Sequence, residues 1–444
     1  MKFSARYFFI TPLLLVATTG FAAAQPWSLE QCISYAIDHN MQVKMQELNL
    51  SSRETELNTA QRSWLPAANA SVGQTFNFGR GQDREGKTVD VNSQNTSFSL
   101  SANMPLFTGF QITNNIHLQR YTVQAAGEAL RRAKESIAVS VAQAYLDVLL
   151  RKEIHKIGSE ALSFTTESVK RTEAMVSTGK APQAQLFEIR SQQASDESTL
   201  TTADNNVRLC LLTLAQLLEI ASLDSFDVQL PALDSATLML MPLAEVSEVY
   251  GSALGTKPQI REAELQVDVS RARLKVAQAG HYPQLSLNAG VGDNYYLLNS
   301  MSNASFGSQM SNNLQEYVGL SLSIPIFNRF ATRNSVRSAQ ININYQELEL
   351  ESVKKTLYKE IQQAYHSAVA AQKSYLASQK SVAAAREAFR YADSKYQTGK
   401  SSVYEFTEAA TRLSRSLSEE AQAKYSYVFA LKILDFYGGR EIRL

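Results

Sequence analysis

Phe98-Ser99-Leu100-Ser101-Ala102-Asn103-Met104-Pro105-Leu106-Phe107-Thr108-Gly109-Phe110 is the stretch on which the fold turns. Its first seven residues alternate apolar with small or polar side chains, the period of a strand with one apolar face. The same design returns as Val318-Gly319-Leu320-Ser321-Leu322-Ser323-Ile324-Pro325-Ile326-Phe327-Asn328-Arg329-Phe330, at an offset of 220. That offset also aligns Ala144-Tyr145 with Ala364-Tyr365, and Thr178-Gly179-Lys180 with Thr398-Gly399-Lys400. Upstream the offset becomes 217, matching Glu47-Leu48 with Glu264-Leu265 and Leu65-Pro66-Ala67 with Tyr282-Pro283-Gln284. Several matches on one offset mark an internal duplication, which has to be recognised before any fold is assigned. The expected repeats are 25–242 and 243–444.

Each repeat reads in the same order. A helix pair comes first, near 28–64 and 243–280. Strands follow, expected at about 66–79 and 93–105 in the first repeat and at 283–297 and 314–325 in the second, with polar loops between them. A long helix, near 109–176 and 328–396, and a second long helix, near 181–219 and 402–437, close each repeat. The remaining strands alternate too: Ala70, Val72, Phe76 and Phe78 against Ser71, Gly73, Thr75 and Asn77, and Leu285, Leu287, Ala289 and Val291 against Ser286, Asn288, Gly290 and Gly292. About ten residues suffice to cross a bilayer as a tilted strand. The polar face carries Ser, Gly and Asn with few charges, as a water-filled lumen would. Four strands cannot close a barrel, because even the smallest membrane barrels need about eight. An open edge in lipid leaves backbone groups unpaired, so strands from several chains are required.

The helices are too long for a globule. From about 328 to 398 there is neither Pro nor Gly. Ile361, Ala364, Ala368, Ala371, Tyr375, Val382, Ala385, Phe389, Ala392 and Tyr396 recur in steps of three and four, with Ser378 filling the single gap. That seven-residue period predicts a left-handed supercoil. Gly179 and Gly399 suit the left-handed backbone that ends a helix, and Pro182 suits the first turn of the next. Two antiparallel hairpins of long helices follow, with both tips far from the strands.

The first 24 residues read as a signal peptide: Lys2 and Arg6, an apolar stretch from Tyr7 to Val16, then Ala22-Ala23-Ala24. With 44% apolar and 19% charged residues and a formal net charge of +1, the chain has no basic excess for nucleic acid. Beyond residue 24 no apolar run long enough for a membrane helix remains. Cys32 and Cys210 allow one disulfide, or two free thiols in helices. The five His (His39, His117, His155, His281 and His366) form no H-E-x-x-H pair. Gly251–Lys257 and Gly79-Arg80-Gly81 match no nucleotide-binding pattern, and no catalytic set, metal site or cofactor site is expected. Glu405 and Glu408 share a helix face just after the second tip. From spacing alone the residues read first as a solvated face and second, in a symmetric assembly, as part of an acidic ring.

The duplicated helix-strand-strand-helix order, Pro105-Leu106-Phe107 and Pro325-Ile326-Phe327, the two Gly tips, and the opening Trp27-Ser28-Leu29-Glu30-Gln31-Cys32 resemble the TolC-like outer-membrane efflux proteins. The resemblance covers essentially the whole mature chain. It implies a mainly α protein with membrane β: a homotrimeric channel-tunnel, each chain giving four strands to a 12-stranded β-barrel above a long α-barrel. It also implies a mixed equatorial region including 220–242 and the C-terminal end. The implied function is non-enzymatic, an outer-membrane exit duct for a tripartite efflux or type I secretion system. Its partners would be outer-membrane lipid, a periplasmic adaptor and, directly or through it, an inner-membrane transporter. Thr178, Gly179, Lys180, Thr398, Gly399 and Lys400 would form the docking tips. Glu405, Glu408 and Tyr396 would line the periplasmic entrance beside Lys400. The family's basic closing residue falls on Ser401 and its acidic partner on Gln185, so the closing link is altered here. The residues alone also admit a periplasmic coiled-coil scaffold or adaptor without a pore.

Overall fold

The computed structural model describes residues 26–82, 86–222, 226–231, 243–298 and 302–444. The expected signal peptide, 1–24, lies outside them, as does 232–242 of the expected equatorial region. In chain order the elements are α1 (Leu29–His39), α2 (Met41–Gln61), β1 (Ala67–Asn77), β2 (Arg80–Gln82), β3 (Thr88–Asp90), β4 (Ser93–Phe107), α3 (Gln111–Ser177) and α4 (Gln183–Leu217). The second half adds α5 (Val246–Thr256), α6 (Pro258–Ala279), β5 (Gln284–Leu298), α7 (Phe306–Asn313), β6 (Gln315–Ser323), α8 (Ala331–Gln397) and α9 (Val403–Tyr437). Helices α3 and α8 each have 67 residues, and α4 and α9 each have 35. At 1.5 Å per residue the longer pair runs roughly 100 Å. Among the described residues no helix is long and apolar enough to cross a membrane.

The four long strands form one antiparallel sheet in the order β1-β4-β5-β6. Its register puts every apolar set on one face: Ala70 stands opposite Leu100, which stands opposite Val291, and Leu287 stands opposite Leu320. The other face pairs Ser71 with Ser99 and Asn103 with Asn288. The apolar face is open in the single chain, with Val72 71% and Val318 79% exposed. An exposed apolar surface of this extent marks contact with a membrane or another protein. The edges β1 and β6 each present one unpaired side.

Strand order dictates helix order. Helix α2 leads into β1, β4 into α3, α6 into β5 and β6 into α8. Beneath the sheet the helices therefore pack in the sequence α2-α3-α6-α8, and farther down in the sequence α4-α3-α9-α8. The seven-residue seam expected for α8 is buried. Ile361, Ala368, Tyr375, Val382 and Tyr396 are buried at multiples of seven, and Ala364, Ala371, Phe389 and Ala392 are half-buried beside them.

The loops are more ordered than a polar connection requires. The 79–92 segment holds the small hairpin β2-β3, tied by Arg80 to Asp90 at 3.0 Å. The 299–314 segment contains α7. Above the end of β6, α7 supplies amide side chains in place of a strand: Tyr296 N donates to Gln309 Oε1 (2.8 Å), Gln309 Nε2 donates to the Tyr296 carbonyl (2.9 Å), and Asn313 Nδ2 donates to the Asn294 carbonyl (2.7 Å). These bonds satisfy an edge that β6 leaves bare.

A core at mid-length joins both halves. Leu29, Cys32 and Ala36 of α1 pack with Val141, Tyr145 and Leu149 of α3 and with Tyr427, Val428 and Leu431 of α9. The Tyr145 hydroxyl donates toward the carbonyls of Gln229 (2.7 Å) and Trp27 (3.2 Å), fastening the N-terminal segment to 226–231. Lys257, 5% exposed, pairs with Glu135 at 3.2 Å, and its ammonium stands 3.2 Å from the Phe436 ring centre. Burial pulls its pKa down, and Glu135 pushes it part of the way back. The two cysteines are free thiols; burial raises Cys32 to about 12.

Each strand enters its long helix through two consecutive left-handed residues: Gly109 (φ 62°) with Phe110 (67°), and Arg329 (56°) with Phe330 (62°). At Gly109 a Cβ would also lie 2.6 Å from Tyr282 Cβ and 2.8 Å from the Ala279 carbonyl oxygen. Gly109→Ala therefore meets both backbone strain and a clash with backbone, and should lose roughly 1–3 kcal/mol. Arg329→Gly removes a strained φ and should stay within about 1 kcal/mol of the parent. Thermal unfolding in detergent, followed by circular dichroism, should rank Gly109→Ala well below both other proteins. Equal melting of the two variants would count against this account.

Candidate functional site

Both helical hairpins reverse by the same backbone device. Gly179 and Gly399 each have φ 71°. Lys180 N donates to the Met175 carbonyl (2.8 Å) and Gly179 N to that of Val176 (3.0 Å); Lys400 N donates to Lys395 (2.9 Å) and Gly399 N to Tyr396 (3.1 Å). This six-to-one plus five-to-two pattern caps carbonyls the helix end leaves free. Thr178 Oγ1 donates to the Ala174 carbonyl at 3.0 Å, and Thr398 Oγ1 to that of Ser394 at 3.1 Å. The Thr-Gly-Lys spelling thus has a local cause at each tip. Thr178, Gly179, Lys180, Thr398, Gly399 and Lys400 are all exposed.

The two tips differ in how the next helix starts. Pro182 caps α4 from just outside, with extended backbone, and not from within the first turn as its sequence context suggests. Helix α9 begins at Ser402, whose side chain accepts from Glu405 N at 3.2 Å. Glu405 is exposed, and its carboxylate accepts the Ser401 hydroxyl proton at 2.7 Å. Glu408 is held one turn on by Arg412 at 2.8 Å, both partners being half or more exposed. Exposed pairs of this kind contribute little to stability, so what they do is present charge at the start of α9. Ser401 is committed to Glu405, and Gln185 donates its backbone N–H to the Pro182 carbonyl at 3.1 Å.

Tyr396 is placed differently from the acids. It is 2% exposed and lies inside a cluster of Val169, Leu186, Ile189, Val403 and Phe406. Its ring stacks on Phe406 at 4.6 Å and 19°, and its hydroxyl is 2.6 Å from Thr172 Oγ1. Tyr396 therefore fastens the α8-α9 hairpin to the α3-α4 hairpin within one chain. Beside it Arg171 of α3 faces Asp393 of α8 at 3.9 Å, a loose ion pair whose facing atoms, Nη1 and Oδ1, are buried and make no hydrogen bond. Sequence reasoning missed Thr172, Arg171 and Asp393. Thr172 pairs with a residue 224 positions away, and no periodicity links such positions. Phe406 and Phe164 were the available signal, since aromatic residues this near a tip need a partner to bury them.

Among the described residues no group of three or more His, Cys, Asp or Glu could hold a metal ion. The arrangement offers exposed tips, a charged helix start and a buried brace.

Comparison with known proteins gives one family. The family model described as "Outer membrane efflux protein" matches the chain over residues 32–219 and again over 249–440. Outer membrane protein TolC of Escherichia coli (strain K12) is 23% identical over 425 residues, covering 94% of this chain and 84% of that protein. Cation efflux system protein CusC of the same strain is 23% identical over 357 residues, covering 78% of this chain and 73% of that one. The crystal structure of the Campylobacter jejuni CmeC outer membrane channel superimposes with a TM-score of 0.74 at 18% identity, covering 94% of this chain and 87% of that one.

Tyr396→Phe should cost about 0.5–1.5 kcal/mol, the usual worth of one hydrogen bond, because Thr172 keeps its bond to the Ser168 carbonyl. Tyr396→Ala should cost roughly 3–5 kcal/mol by opening a cavity between the hairpins. Melting temperatures of the purified variants test both; a Tyr396→Ala protein as stable as the parent would deny Tyr396 a bracing role.

Proposed function

This chain belongs to the outer membrane efflux protein family, and from that membership we propose that it is the exit duct of a tripartite efflux or type I secretion assembly. It is an outer-membrane efflux channel and not an enzyme. In the proposed assembly it takes cargo from an inner-membrane transporter through a periplasmic adaptor. The observation that carries the reading is a four-stranded sheet with an exposed apolar face and two free edges, continued by helices of 67 residues.

Lipid would solvate the apolar face, but lipid cannot satisfy the backbone of β1 and β6. Pairing β6 of one copy with β1 of the next removes both edges. Three copies of the sheet make a ring of about twelve strands, within the range of outer-membrane barrels. The two repeats, 25–242 and 243–444, then alternate around the ring, and their helices continue it as an α-barrel. The tips stand at the far end, where an adaptor would dock on Thr178, Gly179, Lys180, Thr398, Gly399 and Lys400. Glu405 and Glu408 would ring the entrance, with Lys400 beside them and Tyr396 bracing the wall behind. The duct supplies no energy. A partner that binds the dilated mouth more tightly shifts the population toward the open form.

Two experiments test this. The protein should fractionate with outer membranes, need detergent, and migrate as a trimer before boiling; a soluble periplasmic species would favour a scaffold without a pore. Gly399→Leu should keep assembly intact, because a Cβ at Gly399 meets nothing within 4 Å, at a cost of about 1 kcal/mol for the left-handed backbone. It should nevertheless weaken efflux in cells several-fold, and unchanged efflux would count against docking at this tip.

A further inference from the structure

The polar face of the sheet carries no charge at all. Register assigns the odd residues of β1 and β6, those of β4 as far as Pro105, and the even residues of β5 to that face, a bulge after Pro105 turning Phe107 to the other. Its side chains are hydroxyls and amides, such as Ser71, Ser99, Asn103, Asn288 and Ser321, with glycines between them and Tyr317 lying over Gly290. The four strands contain two charged residues, Asp293 opposite Phe98 and Glu316 opposite Val291, and the same register puts both on the apolar face, turned away from the polar one. Beyond the strands, Arg80 and Asp90 of the outer hairpin are spent on each other.

The polar groups are also turned toward one another. Ser71 and Ser99 hydroxyls meet at 2.7 Å, Asn103 Nδ2 donates to Asn288 Oδ1 at 2.5 Å, and Asn77 Nδ2 donates to Ser93 Oγ at 3.3 Å. A passing ion meets these paired dipoles and other uncharged hydroxyls and amides, Asn95 Oδ1 among them without a partner, and no ring of side-chain charge. Selective pores are built from such rings, of carbonyls or of side-chain charge. Distance separates this wall from charge at the rims. Ser99 lies about five residues or more from either end of β4, roughly 17 Å along the strand. The Debye length at physiological salt is about 8 Å, so charges at the rims are largely screened at mid-height.

We propose that the strand-lined part of the duct is a charge-neutral conduit, passing cargo of either sign, and that any selection by charge is made in the helical part. This rests on the reading that the polar face lines an aqueous lumen, and the test separates the two. Ser99→Cys and Ser321→Cys proteins, reconstituted in lipid vesicles, are reacted with a cationic and an anionic methanethiosulfonate of similar size. The parent protein provides the blank for Cys32 and Cys210. Rates are divided by those of each reagent with a small free thiol in the same buffer.

The expected cation-to-anion ratio lies within about threefold of one at both positions. Adding Ser71→Asp opposite Ser99→Cys should raise that ratio roughly tenfold, showing that the assay detects a single introduced charge per chain. A ratio beyond about tenfold in either direction, at both cysteines and without the added Asp, overturns the neutral conduit while leaving the lumen in place. Cysteines that resist both reagents while the protein is folded overturn the lumen itself, and the inference with it.

Discussion

Unpaired backbone along two sheet edges is the constraint from which the rest of this architecture follows. A soluble sheet can leave an edge to water, but an edge in lipid finds no partner. The strands carry an apolar face that is open to solvent in the single chain, beside two bare edges. In the proposed ring of copies both would be covered. Where β6 ends early, the chain meets the same requirement by another route. Gln309 and Asn313 imitate a strand and close the last rungs of β5.

Continuity between strand and helix carries that constraint downward. Each long strand runs into a long helix or receives one, so the helices stand in the order of the strands above them. The turning point is narrow, two left-handed residues at each junction, and only one of the four is glycine. Strain of that kind persists when surrounding packing over-determines it. Below, stability comes from buried seams and not from surface charge. The seven-residue row of α8, the mid-length core around Tyr145, and the Tyr396 brace hold helices that are otherwise wet on two sides. The mostly exposed ion pairs along the helices add little; Lys257 with Glu135 and Arg171 with Asp393 are among the more buried.

Identity near 23% to proteins of the same family is intelligible in these terms. Alternation, heptads and glycine-ended hairpins specify positions by class of side chain, so many residues satisfy each one. What such patterns leave free is the chemistry of the surfaces that face cargo and partner. In this chain the acids of α9, the Ser401 hydroxyl bound to Glu405 and the uncharged strand face occupy such surfaces.

The sequence by itself determined the strands, their two faces, the four long helices, both tips and the recurrence of the whole order, because each rests on short-range period or local backbone chemistry. It also marked the Thr-Gly-Lys turns and the acids after the second one. Tertiary structure decided what those signals could not. Tyr396 faces inward onto Phe406 and Thr172, the 79–92 and 299–314 segments carry their own hairpin and helix, and Pro182 stands outside its helix. Each of these depends on which surfaces meet, and contacts between residues 224 apart are set by packing between hairpins, on which local periodicity carries no information.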